Sequence, residues 1–250
     1  MKIKSYKKIK GNEYELILDN DVKVRLYDDL IIKHELLLKK EITKDRLTKI
    51  VVANDNLHAY YLALKFLGKK MRSTMEIKNY LQKKEFDQKI IEETINKLIK
   101  ENYLNNQKFM ESYINDQFNL TYNGPEKIKQ NLIKLGINED QIVINKDFSE
   151  KIKTLISKKI KLNHKLSTNA LKQNITTYLI GLGYRKEDFI DELDNIKSND
   201  KSLIKKDYEK IMKKYQNKYD SFQLKMKVKE KLYQKGYTPD LINEWIEENL

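Results

Sequence analysis

Six cations gather around one short apolar stretch: Lys69, Lys70, Arg72, Lys78, Lys83 and Lys84 surround Met71, Met75, Ile77, Leu81 and Phe86. Side chains of these types attract phosphates and carboxylates but break no bonds, so the chemistry they offer is binding. Arg72 and Lys83 lie eleven residues apart, close to three helical turns, which predicts a line of positive charge along one helix face. Lys127 and Lys129 extend the set of candidate contacts downstream. Tyr60, Tyr61 and Tyr80 carry rings that could stack on bases, although tyrosines at such spacings more often pack helices together.

Catalytic alternatives are poorly supplied. With no cysteine there is no thiol nucleophile, thiolate zinc site or disulfide. The three histidines, His34, His58 and His164, are scattered without metal-ligand spacing, which favours packing or solvent roles. The acidic pairs Glu92-Glu93, Glu139-Asp140 and Glu247-Glu248 are sequence neighbours, so they do not face each other on a helix. No glycine-rich phosphate loop or nucleophile elbow is present. The expectation is a protein that is not an enzyme and takes no cofactor or metal.

The net charge of +13 is spread along the chain, with excesses of +3, +4 and +6 over residues 1–56, 57–146 and 147–250. A distributed excess suits an elongated polyanion such as nucleic acid or a nucleoprotein assembly. Lysines filling solvated helix faces give the same composition, so charge alone leaves both readings open. The basic start has no following apolar run, and no stretch reaches the length of a membrane span. A soluble, cytoplasmic protein with no membrane association is therefore expected.

What must position these cations is a repeat. Ile77, Leu81 and Phe86, spaced by four and then five residues, recur as Ile128, Leu132 and Ile137. They recur again as Ile175, Leu179 and Tyr184, and as Val228, Leu232 and Tyr237. Five positions later stand Ile91, Ile142, Phe189 and Ile242. Periods of this length mark one supersecondary unit used several times. Gly136, Gly183 and Gly236 precede the third frame residue, where a left-handed residue ends a helix. The first copy has Glu85 there and is expected to end differently. Asp87, Asn138 and Thr238 can then cap a following helix, and Asn138-Glu139-Asp140-Gln141 fits a capping box. Pro125 and Pro239 both suit a first helical position.

Upstream, Tyr14–Leu18 and Val22–Leu26 read as a β-hairpin joined by Asp19-Asn20-Asp21, with Ile3 and Ile9 in a candidate third strand. Helices over 28–33 and 43–54 are expected to cover it, and a separate helix over 57–68 to open the first repeat. The predicted fold is mainly α: tandem three-helix repeats in an elongated curved array, with a small N-terminal β-hairpin/α region. The expected divisions are residues 1–56, then repeats over 57–105, 106–146, 147–198 and 199–250. Each helix–glycine–helix turn looks like a DNA-reading helix-turn-helix, but four in one chain argue for a structural module.

The wording of the first repeat carries a further signal. Ala59-Tyr60-Tyr61-Leu62-Ala63-Leu64-Lys65-Phe66-Leu67, then Met71-Arg72-Ser73-Thr74-Met75-Glu76-Ile77, then Tyr103-Leu104-Asn105-Asn106 resembles the family of the regulatory protein RecX. Asn123-Gly124-Pro125-Glu126-Lys127-Ile128 is similar to the opening of that family's second unit. Asn105-Asn106 stands where the family's wording is acidic. The resemblance implies a non-enzymatic regulator of the RecA recombinase, lying in the groove of the RecA–DNA filament and limiting ATPase and strand exchange. It thereby implies a role in recombination, DNA repair and the SOS response. A monomer with weak direct DNA binding is expected. Kept beside it is a free-standing helical DNA- or RNA-binding protein.

Overall fold

A computed structural model describes residues 1–249. It opens with an antiparallel sheet of three strands in the order β1 (Ile3–Lys10), β2 (Glu13–Leu18) and β3 (Lys23–Tyr27). The hairpin read from sequence thus gains its third strand. Leu16 pairs with Tyr6 on one side and Val24 on the other. Leu16, Leu18 and Leu26 are buried against α1 (Asp28–Lys33) and α2 (Lys44–Leu67) in a core that includes Ile31 and Ile50.

Helix α2 corrects the sequence reading. One 24-residue helix replaces the two expected over 43–54 and 57–68, and it runs straight through the expected division at 56/57. Thr43 caps it as expected, its Oγ1 accepting the Arg46 N–H at 3.3 Å. Asn54-Asp55-Asn56, at the junction of the two expected helices, are residue types that often bond to their own backbone outside helices. Here Asn54 Oδ1 accepts the Tyr27 N–H and Asn56 Nδ2 donates to Glu93, so both amides are used across elements.

The rest of the described chain is helical: α3 (Thr74–Gln82), α4 (Gln88–Lys100), α5 (Asn106–Leu120), α6 (Pro125–Lys134), α7 (Ser149–Leu162), α8 (Thr168–Gly181), α9 (Ile190–Asp194), α10 (Asp200–Tyr215), α11 (Ser221–Gln234) and α12 (Pro239–Asn249). The apolar frame is the interior of this set. Ile77, Leu81, Ile128, Leu132, Ile175, Leu179, Val228 and Leu232 are all fully buried, on α3, α6, α8 and α11. Each such side chain contributes about 1.5–3 kcal/mol through its burial.

The third helices of the middle copies depart from expectation. Asn138-Glu139-Asp140-Gln141 starts only a 3-10 turn over Glu139–Gln141. The following Ile142-Val143-Ile144 is a β-branched run with no helical stripe, and it continues without helix. In the next copy a 3-10 turn (Lys186–Asp188) leads into the five-residue α9. Asp188 supplies the cap that Arg185 cannot, accepting the Arg185 N–H at 3.1 Å.

The chain divides into two compact units. The first holds residues 1–112 and 133–138, including the sheet core and a helical core built on Ala59, Ala63, Ile77, Leu81, Ile91 and Leu98. The second holds residues 113–132 and those from 139 onward, with a core of Ile204, Val228, Leu232, Tyr237, Ile242 and Ile246 near its end.

The turn after each frame helix explains its glycine. Gly136, Gly183 and Gly236 have φ of +83°, +88° and +87°. A Cβ on them would also lie 2.6 Å from Met75 Cβ, 2.5 Å from the Lys127 backbone N and 2.7 Å from Ser167 Oγ, respectively. Each turn therefore rests on the N-terminal turn of the frame helix in the copy before it. Left-handed geometry and close approach demand glycine together.

Glu85 corrects the expectation that the first copy ends differently. Its φ is +62°, and Phe86 N–H bonds back to Leu81 O as Tyr184 N–H does to Leu179 O. The turn is the same, but no earlier copy presses on it, and Glu85 is exposed. Only the backbone penalty remains. Glu85→Gly should raise unfolding stability by about 0.5–1 kcal/mol, the left-handed penalty less the glycine entropy cost. A urea midpoint that falls instead would show that the Glu85 side chain makes a needed interaction.

Candidate functional site

The cations singled out in the sequence have unequal settings. Lys69 and Lys70 lie between α2 and α3, and Lys83 and Lys84 follow α3; all four are exposed. Lys70 Nζ stands 3.9 Å from Glu76 Oε1, while Lys69, Lys83 and Lys84 have no ion pair among the described residues. Lys84 borders an open groove of about 350 Å³ with His58, Glu85, Phe86 and Asp87. Lys78 is half-buried on α3.

Arg72 is different. The helix starts at Thr74 with Ser73 as its cap, so Arg72 precedes it and cannot share a helical line with Lys83. Its guanidinium lies 4.0 Å over the Phe66 ring, which stacks on Tyr80 at 4.1 Å. Arg72 NH1 donates to Glu76 Oε1 at 2.8 Å, and the two side chains are only 15% and 19% exposed. Glu76 in turn accepts the Ser73 N–H, while Ser73 Oγ accepts the Glu76 N–H, completing a capping box. Arg72 is thus a positioning residue that ties α2 to the start of α3. Arg72→Ala should destabilise the first unit by about 1–3 kcal/mol, because the ring stacking disappears and a carboxylate is left half-buried. Arg72→Lys should recover only part, because an ammonium cannot stack flat. Thermal melts of the three proteins check this; identical melting points would mean that Arg72 is a free surface cation after all.

Downstream, the Lys127 backbone is pressed under Gly183 and its side chain is half-buried. Lys129 meets Glu139 Oε1 at 2.9 Å, which raises the lysine's pKa and keeps it charged but partly neutralised.

The tyrosines pack. Tyr60 donates to Glu101, and Lys97 Nζ sits 3.8 Å over its ring. Tyr61 donates to Asp29, and that bond, with burial, pushes its hydroxyl up to about 12. His58 Nδ1 lies 2.8 Å from Tyr27 OH, between the rings of Tyr27 and Phe86. Among the described residues no group of three His, Cys, Asp or Glu could hold a metal ion. No helix among them is long and apolar enough to cross a membrane.

Sequence reasoning missed the latches between copies. Asn106 Oδ1 accepts both the Thr74 N–H at 2.9 Å and the Thr74 hydroxyl at 3.0 Å. Asp200 Oδ1 accepts the same pair from Thr168, at 2.8 and 3.0 Å. In both cases the acceptor lies 32 residues beyond the threonine, and that shared offset was the available signal.

Buried frame helices, left-handed turns seated on the preceding copy and these latches define a tandem three-helix-domain protein. The model described as RecX, first three-helix domain, matches residues 59–98, and that described as RecX, third three-helix domain, matches residues 200–246. The regulatory protein RecX of Oceanobacillus iheyensis is 32% identical over 236 residues, spanning 89% of this chain and 86% of the relative. That of Streptococcus uberis is 29% identical over the full length of both. The chain belongs to the RecX family of regulatory proteins. A crystal structure of regulatory protein RecX shares its fold with TM-score 0.62 at 20% identity, over 75% of this chain and 96% of the other. RecX from Lactobacillus salivarius matches with TM-score 0.53 at 30% identity, over 58% and 99%.

Proposed function

We propose that this protein is a non-enzymatic regulator that binds the RecA recombinase–DNA filament and limits its ATPase and strand exchange. On this reading it acts as a cytoplasmic monomer in recombination, repair and the SOS response. The observation that supports it most is membership of the RecX family along nearly the whole chain. The geometry adds a candidate surface: Lys69, Lys70, Lys83 and Lys84 are exposed at the two ends of α3, a helix whose start is tied down by the Arg72–Glu76–Ser73 cluster. Lys78, Lys127 and Lys129 are secondary candidates, each half-buried.

Adding the protein to RecA filaments on single-stranded DNA should lower ATP hydrolysis and strand exchange. No change at stoichiometric amounts would sink the reading. Changing Lys69, Lys70, Lys83 and Lys84 to Gln should weaken the effect and reduce its salt dependence, by about 0.7–0.9 in slope for each phosphate no longer neutralised. An unchanged slope would remove those four from the interface. The alternative, a free-standing nucleic-acid-binding protein, predicts submicromolar binding to bare DNA or RNA with no recombinase present, which a gel shift separates from the first reading.

A further inference from the structure

Two buried polar atoms in the first unit lack a partner among the described residues. Asn56 Nδ2 donates to Glu93 Oε2 at 2.7 Å, which fixes the other amide atom as the oxygen, and that Oδ1 meets no donor. Thr94, 3% exposed on α4, likewise has no partner for its Oγ1. Elsewhere in the chain Thr48 and Thr176 donate to the carbonyl four residues back, at 3.1 and 2.8 Å, as helical threonines commonly do. Buried groups left unmatched are rare and costly, so two together mark a place where something else supplies the bonds.

Asn56 and Thr94 line one cavity of about 150 Å³ between α2 and α4. Asn56, Leu57, Tyr60 and Lys97 also border an open chamber of about 360 Å³ that reaches α1, where Leu30 and Ala53 add apolar wall. The charges on these walls balance. Asp29 and Lys33 lie one turn apart on α1, and Glu93 and Lys97 one turn apart on α4.

An amide oxygen and a hydroxyl facing one small cavity suit an N–H set next to an acceptor: the oxygen takes the N–H and the hydroxyl donates to its neighbour. Pyrimidine bases present that edge. A cavity of about 150 Å³ has room for a single ring, and the chamber outside it has the volume of a small-molecule site. Balanced walls give no preference for an anion, so a phosphate adds nothing.

We propose that the cleft between α2 and α4 binds a free pyrimidine nucleoside, with the base edge on Asn56 Oδ1 and the Thr94 hydroxyl and the ribose in the chamber beside α1. The site shares no residue with the lysines of the recombinase reading, and its test contains no recombinase.

The test is saturation-transfer NMR and calorimetry of the full chain with cytidine and with uridine. At least one should bind saturably, one molecule per chain. Uridine methylated on its ring N–H and cytidine dimethylated on its exocyclic nitrogen have the donor blocked, and should bind about tenfold more weakly or worse. Adenosine, with two fused rings, should also bind more weakly. Uridine monophosphate should bind no more tightly than uridine, and added salt should leave both affinities unchanged. Thr94→Val keeps the shape and removes the hydroxyl. It should melt at or above the parent temperature, because an unmatched buried group is gone, yet lose about tenfold in affinity. No saturable binding by either nucleoside, equal binding of the methylated forms, or parent-like affinity in Thr94→Val would each overturn the proposal and leave water as the occupant. Tighter, salt-sensitive binding of the monophosphate would overturn it in favour of an anion held by the lysines. Either failure leaves the filament reading untouched, and a loss of RecA regulation with nucleoside binding intact would count against that reading alone.

Discussion

Replacing Gly183 by alanine should cost about 3–5 kcal/mol of stability in the second unit, near the top of the range for single substitutions. Two penalties combine. At φ +88° a side chain faces its own carbonyl, worth about 1–2 kcal/mol. The new Cβ would also fall 2.5 Å from the Lys127 N and Cβ and 3.0 Å from its Cα. Relief by movement is blocked on both sides: Gly124 N–H donates to Leu182 O at 2.7 Å and Glu126 N–H donates to Gly183 O at 3.1 Å. Gly124 faces the same close approach from below, since its Cβ would lie 2.5 Å from Gly183 O, yet its φ is not left-handed. Gly124→Ala therefore isolates the steric part and should cost about 2–3 kcal/mol. Gly181→Ala is the control: nothing lies within 4 Å of its Cβ position, and alanine is the better helix former by about 1 kcal/mol. Urea unfolding followed by circular dichroism ranks the three. Should Gly183→Ala unfold like Gly181→Ala, the seating of one copy on the next is not as tight as these distances imply.

The same seating shows what could be read from the sequence. The frame was legible because burial is periodic: Ile77, Leu81 and their counterparts announce an inward face by spacing alone. The glycines were legible as helix ends, but not as points of close approach, because a missing Cβ looks the same whatever fills the space. Glu85 misled for the same reason: residue type suggested a different turn, whereas the backbone keeps the turn and only the neighbour is missing. The cations were legible as a cluster but not as individuals. Whether Arg72 faces solvent or Phe66 depends on where the cap of α3 falls, and Ser73 rather than Thr74 fixes that. Asn56 and Thr94 were visible as polar residues, but not as two unmatched atoms on one cavity, since how α2 meets α4 decides that.

Asn106→Ala should cost the first unit about 1–3 kcal/mol, and Asp200→Ala should cost the second about as much. In each case one oxygen satisfies two donors at the start of a frame helix, so truncation leaves an N–H and a hydroxyl without their acceptor. Asn106 sits in Tyr103-Leu104-Asn105-Asn106, where the two asparagines divide the labour. Asn105 Oδ1 accepts the Lys108 N–H at 2.9 Å, capping the first turn of α5, and Asn106 reaches back to Thr74. Asn106→Asp places a full charge at the positive end of α3, as Asp200 already does for α8. It should add about 0.3–1 kcal/mol at neutral pH. Only the ionised carboxylate carries the negative charge that the start of the helix favours. The gain should therefore be present above about pH 4 and disappear as pH falls through the carboxylate range. Melting temperatures of Asn106→Asp and the parent protein, compared at neutral and acid pH, decide the matter. A gain that persists in acid would mean that geometry rather than charge sets the strength of the latch, and that Asn106 and Asp200 are interchangeable solutions to one hydrogen-bonding demand.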